Sequence, residues 1–163
     1  MWNVLQSDAS ANERIRDLKI LIETKNVNIN LTNDQDSGEA ALHYAARYGT
    51  TEMVDLLVKN GADLNCKIKD GSTALHFAAI YGKTETVDLL LKNGADLNCK
   101  IKDGWTALHF AAGNGTTEMV DLLVKNGVDL NCKDDDGSTP LKLAVDFQRI
   151  EIVKFLKKHG ALI

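Results

Sequence analysis

Apolar and polar positions along this chain repeat in blocks rather than as a single helical or strand period. Gly71-Ser-Thr-Ala-Leu-His-Phe-Ala-Ala79 returns as Gly104-Trp-Thr-Ala-Leu-His-Phe-Ala-Ala112. A looser copy, Gly38-Glu-Ala-Ala-Leu-His-Tyr-Ala-Ala46, precedes them, and Gly137-Ser-Thr-Pro-Leu-Lys-Leu-Ala-Val145 follows. The step is 33 residues each time. Within each block a short apolar segment of alanine, leucine and an aromatic residue is followed by a second with helical spacing, such as Val87, Leu90 and Leu91. A polar stretch closes the block, as in Asp63-Leu-Asn-Cys-Lys-Ile-Lys-Asp70. Each block therefore predicts helix, turn, helix, loop.

The first helix of a block is predicted to open at Thr73, Thr106 or Thr139, each a good N-cap whose hydroxyl oxygen satisfies a free backbone N–H. Ala40 replaces threonine in the first block, which predicts a loss of about 1 kcal/mol of capping there. The helix is expected from about Ala74 to Tyr81, ended by Gly82, with Gly49, Gly115 and Gln148 at the equivalent turns. The second helix is expected over Glu52–Asn60, Glu85–Asn93, Glu118–Asn126 and Glu151–His159. Gly61, Gly94, Gly127 and Gly160 then stand where a left-handed C-cap is wanted. Before Gly38 the period fails, although Arg14 to Thr24 still has the pattern of a second helix.

Such a block cannot bury its apolar face alone, but a stack of blocks can. The predicted fold is all-α, a single domain over 1–163. It is divided into an N-terminal capping unit (1–37), full repeats (38–70, 71–103 and 104–136) and a C-terminal capping repeat (137–163), about five units in all.

These residues resemble the ankyrin repeat family, whose known 33-residue period and Thr-Pro-Leu-His-x-Ala signature are matched by Thr-Ala-Leu-His-Phe-Ala-Ala in two blocks. Asn-Gly-Ala-Asp-Leu-Asn after the second helix also matches, and the resemblance runs from about residue 11 onward. The departures are alanine for proline in three blocks and Lys142 for histidine in the last. The resemblance implies a solenoid of stacked helix-turn-helix units with short β-hairpin fingers. It implies binding of another protein along the concave side, through finger tips and first helices, with no catalytic chemistry in the repeat itself.

Composition adds exclusions. Apolar residues make up 44% of the 163, enough for a core, and aromatics only 6%, so aliphatic side chains and alanine must fill it. No apolar run approaches the roughly 20 residues that span a bilayer, and Met1–Ser10 lacks the pattern of a secretory signal. Cys66, Cys99 and Cys132 form an odd set with no disulfide framework, which points to a reducing compartment, cytoplasmic or nuclear.

His43, His76 and His109 recur at the same step. Equivalent positions in stacked units lie roughly 8–10 Å apart, too far to share a metal ion at about 2.0–2.3 Å or to form a disulfide. The histidines are expected to hydrogen-bond a neighbouring loop, and the cysteines to pack at the finger bases. Gly113-Asn-Gly115 follows a helix and lacks the lysine of a phosphate loop, so it is read as an inter-helix turn. No cofactor, metal or small-molecule substrate is expected, and no catalysis, because every candidate histidine fills a repeated structural slot.

The remaining signal lies where near-identical units differ. By resemblance the binding positions fall on the fingers (Lys67, Lys69, Lys100, Lys102), on the residue after the finger glycine (Ser72, Trp105), and on the pair before the inter-helix turn (Arg47 and Tyr48, Ile80 and Tyr81, Asn114, Asp146 and Phe147). Trp105 is the leading candidate, because serine fills its slot in two other units and hot spots favour tryptophan. Its removal is expected to weaken a partner while barely moving the melting temperature. The central lysines, flanked by Asp34, Asp36 and Glu39 on one side and Asp134–Asp136 on the other, predict an acidic segment at the middle of a partner.

Asn65, Asn98 and Asn131, each after Asp-Leu, resemble the asparagine hydroxylation context of ankyrin proteins; the local alternative is an asparagine bonding its own hairpin. The expected function is that of an adaptor, or an inhibitor by occupancy, acting as a monomer. Competing readings are a self-associating scaffold using the apolar Ala161-Leu-Ile163, a host-targeted effector of an intracellular microbe, and nucleic-acid binding through the lysines, which the net charge of −4 argues against.

Overall fold

The computed structural model describes residues 1–5, 10–25, 27–33 and 38–162. Asp34, Asp36 and Ile163, invoked above, lie outside the described residues. The chain forms α1 (Trp2–Leu5), α2 (Ala11–Lys25), α3 (Ala41–Tyr48), α4 (Thr51–Lys59), α5 (Ala74–Ile80), α6 (Thr84–Lys92), α7 (Ala107–Asn114), α8 (Thr117–Lys125), α9 (Pro140–Asp146) and α10 (Ile150–Lys158). Helices α3, α5, α7 and α9 pack in one row, and α4, α6, α8 and α10 in a second. The N-terminal pair continues both rows, α1 against α3 and α2 against α4. The capping unit is thus a complete helix pair whose second helix starts earlier than the apolar spacing suggests. Ser10 opens it, with its backbone N–H donating to Glu13 Oε2 at 2.9 Å and its Oγ accepting from Glu13 N–H at 3.4 Å.

Burial follows the block pattern. Leu42, Leu75, Leu108 and Leu141 of the first helices and Leu57, Leu90, Leu123 and Leu156 of the second are all buried. Alanines at 45, 46, 78, 79, 111 and 112 are fully buried, which lets the first helices approach closely. The core is one continuous seam along the stack.

Three local expectations are corrected. The second helices begin one residue earlier than predicted, at Thr51, Thr84, Thr117 and Ile150. The fingers form no strand ladder among the described residues, where the single bridge pairs Thr32 with Ala40. Each finger closes on two backbone bonds at one residue: Ile68, Ile101 and Asp134 donate to the Ser72, Trp105 and Ser138 carbonyls at 3.0 Å, and accept from Gly71, Gly104 and Gly137 N–H at 2.9, 3.0 and 3.0 Å. Consecutive fingers are joined backbone to backbone by one bond, Lys102 N–H to the Asp70 carbonyl at 2.8 Å and Asp135 N–H to the Asp103 carbonyl at 3.1 Å.

The third correction concerns the inter-helix turns, which come in two kinds. Gly82 and Gln148 adopt positive φ (68° and 56°), and the helices before them have seven residues. Gly49 and Gly115 are extended, after helices of eight. Glycine is required at Gly49 and Gly115 by space rather than by φ: a Cβ would sit 2.7 Å from the Ala45 carbonyl oxygen or 2.6 Å from that of Ala111.

Candidate functional site

The first helices are joined to the fingers through histidine. In the second unit His76 is buried, and its Nε2 lies 3.0 Å from the Cys99 carbonyl. A carbonyl only accepts, so Nε2 carries the proton and Nδ1 is free to accept from Thr73 N–H at 3.1 Å. His43 does the same between Ala40 N–H (3.0 Å) and the Cys66 carbonyl (2.8 Å). His109 does so between Thr106 N–H (3.1 Å) and the Ser138 carbonyl (3.2 Å). Burial holds all three imidazoles below their ordinary pKa, against smaller opposing effects of these hydrogen bonds. The histidines are ties between units, as the sequence suggested.

The threonine caps gain a partner at the same place. The Thr73 and Thr106 hydroxyls donate to the histidine Nδ1 at 2.9 Å, and their oxygens stay at the first turn in a capping box with that histidine. Thr139, where Lys142 replaces histidine, donates instead to the Leu162 carbonyl at 2.9 Å and accepts from Lys142 N–H at 3.2 Å. Ala40 gives up both the hydroxyl bond to His43 and the cap oxygen.

The asparagines make a second tie, and it too differs from the expectation. Asn65 Oδ1 accepts from Asp96 N–H of the next unit at 2.8 Å, Asn98 Oδ1 from Asp129 N–H at 3.2 Å, and Asn131 Oδ1 from Leu162 N–H at 2.7 Å. The bond leaves its own hairpin and crosses to the neighbour. Asn30 already makes it to Asp63 N–H at 2.8 Å, ahead of the first full repeat. Cys66 is half-buried, while Cys99 and Cys132 are buried; all three are free thiols whose pKa burial pushes up.

These ties fix the surface that the candidate contact residues occupy. The pair before each turn forms a row along the first helices. Tyr48, Tyr81 and Phe147 are exposed aromatic rings there, Tyr81 at 46% and Phe147 at 54%. Tyr48 lies 6.3 Å from Tyr81 and 4.9 Å from Tyr44, ring centre to ring centre. Arg47 is threaded between them: Nε donates to Tyr81 Oη at 2.9 Å, the guanidinium carbon sits 4.8 Å from the Tyr48 ring centre, and Nη1 pairs with Glu39 at 3.3 Å. Arg47 and Glu39 so hold the rings in place.

In the third unit the row is interrupted. Gly113 is buried and Asn114 exposed, and a Cβ on Gly113 would touch the Phe147 ring at 3.5 Å. Phe147 thus leans over the gap that Gly113 leaves. Ile80 is half-buried, and Asp146 is exposed and paired with Lys142 at 2.7 Å.

Two finger expectations change. Ser72 is only 4% exposed, its N–H bound to Asp70 Oδ1 at 2.7 Å and its carbonyl used in the finger base, so it offers no surface for contact. Trp105 is half-buried, with its ring centre 4.9 Å from Phe110 and stacked on His109 at 6.0 Å. The ring packs on its own unit, and the idea that its removal leaves stability untouched does not survive that packing. Lys67, Lys69, Lys100 and Lys102 are exposed, but Lys100 Nζ donates to the Lys133 carbonyl of the next finger at 2.8 Å. Among the described residues no group of histidine, cysteine and carboxylate side chains converges as a metal site, and no helix is long and apolar enough to cross a membrane.

Comparison with known proteins agrees with this architecture. The family described as ankyrin repeats (3 copies) matches residues 7–101 and 94–163. No curated protein matches the chain. With helix pairs stacked in two rows, histidine and asparagine ties at a 33-residue step, and a family match over most of its length, the chain belongs to the ankyrin-repeat family.

Proposed function

We propose that this chain works by occupancy, as an adaptor or inhibitor that holds a partner protein against its first helices and fingers. Ankyrin repeats are in general protein–protein interaction modules. The single observation that carries the reading is the row of exposed rings, Tyr48, Tyr81 and Phe147, at a slot where packing requires none, since Asn114 fills it in the third unit. Exposed aromatic residues of this kind are the usual anchors of protein interfaces. Trp105, Ile80, Arg47 and Asn114 extend the surface, and Lys67, Lys69 and Lys102 give its middle a positive potential that would orient an acidic segment. The three free thiols, each kept protonated by burial, suit a reducing compartment.

Affinity capture from cell extract tests this, using the full chain and a variant with Tyr48, Tyr81 and Phe147 all changed to Ser. A protein retained by the first and lost by the second supports the reading. An identical set on both, with the variant folded, would refute it.

A further inference from the structure

The second and third full repeats are near copies, yet the pair Ile80-Tyr81 of one is Gly113-Asn114 in the other. The turn does not demand the change. Arg47-Tyr48 fills the same slot ahead of an extended glycine, Gly49, just as Gly113-Asn114 stands ahead of Gly115. Helix stability does not favour it either, since glycine inside a helix weakens it. A Cβ at Gly113 would stand 3.5 Å from the Phe147 ring, an ordinary contact distance, so packing tolerates a methyl group there.

The substitution opens the ring row at one point. Tyr81 is held toward the first unit, its Oη accepting from Arg47 Nε at 2.9 Å and its ring centre 6.3 Å from Tyr48. Phe147 borders the other side, beside Gly113. Between them stands the exposed amide of Asn114. Phe110, one turn back on the same helix face, is half-buried and packs on Trp105 at 4.9 Å. Asp146, next to Phe147, is already paired with Lys142 at 2.7 Å. The opening is therefore edged by rings and one neutral amide.

The other end of α7 carries charge. Lys100 Nζ is tied to the Lys133 carbonyl at 2.8 Å. Lys102 is exposed and makes no ion pair among the described residues. Helix α7 has eight residues, so its ends lie about 12 Å apart. An extended chain covers that span in about four residues.

We infer that the opening at Gly113 and Asn114 receives one aromatic side chain of the partner, on an extended segment with a carboxylate about four residues away that meets Lys102. This rests on the ring row being the contact surface and says what the partner must present to it. A ring gains edge and face contacts from Phe110 and Phe147, whereas a charged side chain would lose water there without gaining a counter-charge. The Asn114 amide can both donate to and accept from the backbone of the segment. Lys102 selects the acidic flank.

Nonapeptides of glycine and serine test this, with Phe at the centre and Glu at both ends, so that chain direction does not matter. Titration into the full chain is followed by NMR at the Asn114 side-chain amide and the Trp105 indole N–H, both of which should shift saturably. Alanine at the centre should weaken binding at least about tenfold, a difference of about 1.4 kcal/mol. Asn114→Tyr fills the opening with the residue that Tyr48 and Tyr81 place in this slot and should abolish the indole shift. Tyr48 shows that a ring fits ahead of the same kind of turn, and circular dichroism checks that the variant is folded. Lys102→Glu should turn the preference toward a peptide with Lys at both ends.

No saturable shift with the Phe peptide, equal binding of the Ala peptide, or binding undiminished in Asn114→Tyr would overturn the inference. The variant with Tyr48, Tyr81 and Phe147 changed to Ser separates this failure from that of the row. If that variant still loses its captured protein while the peptide ignores Asn114→Tyr, the row stands and the opening does not. If capture is unchanged, the row itself falls, and the opening with it.

Discussion

Replacing His76 by alanine tests the tie between units directly. His76 is 1% exposed and satisfies two buried backbone groups, the Cys99 carbonyl of the following loop and the Thr73 N–H of its own helix start. Stranding each costs about 1–3 kcal/mol. The Thr73 hydroxyl loses its acceptor as well. The expected loss is about 4 kcal/mol, a large share of the roughly 5–15 kcal/mol that holds a domain together. Urea denaturation followed by circular dichroism would read it as a lower midpoint. The double variant with Thr73→Ala should cost less than the sum of the two single variants, because either change alone already breaks the bond from the Thr73 hydroxyl to Nδ1. A loss below about 1 kcal/mol for His76→Ala would mean that water replaces the imidazole and that these ties contribute little.

Other predictions follow from the same geometry. The three imidazoles are held below their ordinary pKa of about 6.5, so the unfolded chain binds protons first as pH falls. Their contribution is complete above that value and is lost as pH falls through the lowered folded-state values; the melting temperature should drop between pH 7 and 5, and less steeply in His76→Gln. Trp105→Ala is expected to weaken partner binding by about 2 kcal/mol and also to lower the urea midpoint, since the ring packs on His109 and Phe110; an unchanged midpoint would contradict that packing. Gly115→Ala should destabilise strongly, because its Cβ would fall 2.6 Å from the Ala111 oxygen, whereas Gly82→Asn, at a left-handed turn with open space, should cost well under 1 kcal/mol; equal losses in thermal melts would rule out the distinction between the two turns.

Much of this was legible in the residues. The 33-residue step, the glycine C-caps and the buried leucines set the helix pairs, because identical units meet identical neighbours. What escaped was cross-unit detail. Ser72 reads as a free surface residue until the finger base closes over it, and Asn65 reads as a local turn former until the next unit supplies Asp96 N–H. Threonine before a helix suggests a cap, but not that its hydroxyl proton goes to the histidine three residues on. The Ser10 and Glu13 pairing was visible in principle as a serine followed three residues later by glutamate, and would have moved the start of α2. The positions of Tyr48, Tyr81 and Phe147 came from the family resemblance, but the support that Arg47 gives Tyr48 and Tyr81 is not readable in the sequence.

The alternation of inter-helix turns has a consequence for how this stack grows. Thr50 and Thr116 cap their own second helices, whereas Lys83 and Arg149 at the matching positions reach back one unit, to the Gly49 carbonyl at 2.6 Å and the Gly113 carbonyl at 2.8 Å. The turns therefore alternate over a step of 66 residues, laid over the 33-residue one. Excising or inserting one module would set two modules of the same parity side by side. Lengthening the array in pairs preserves the alternation.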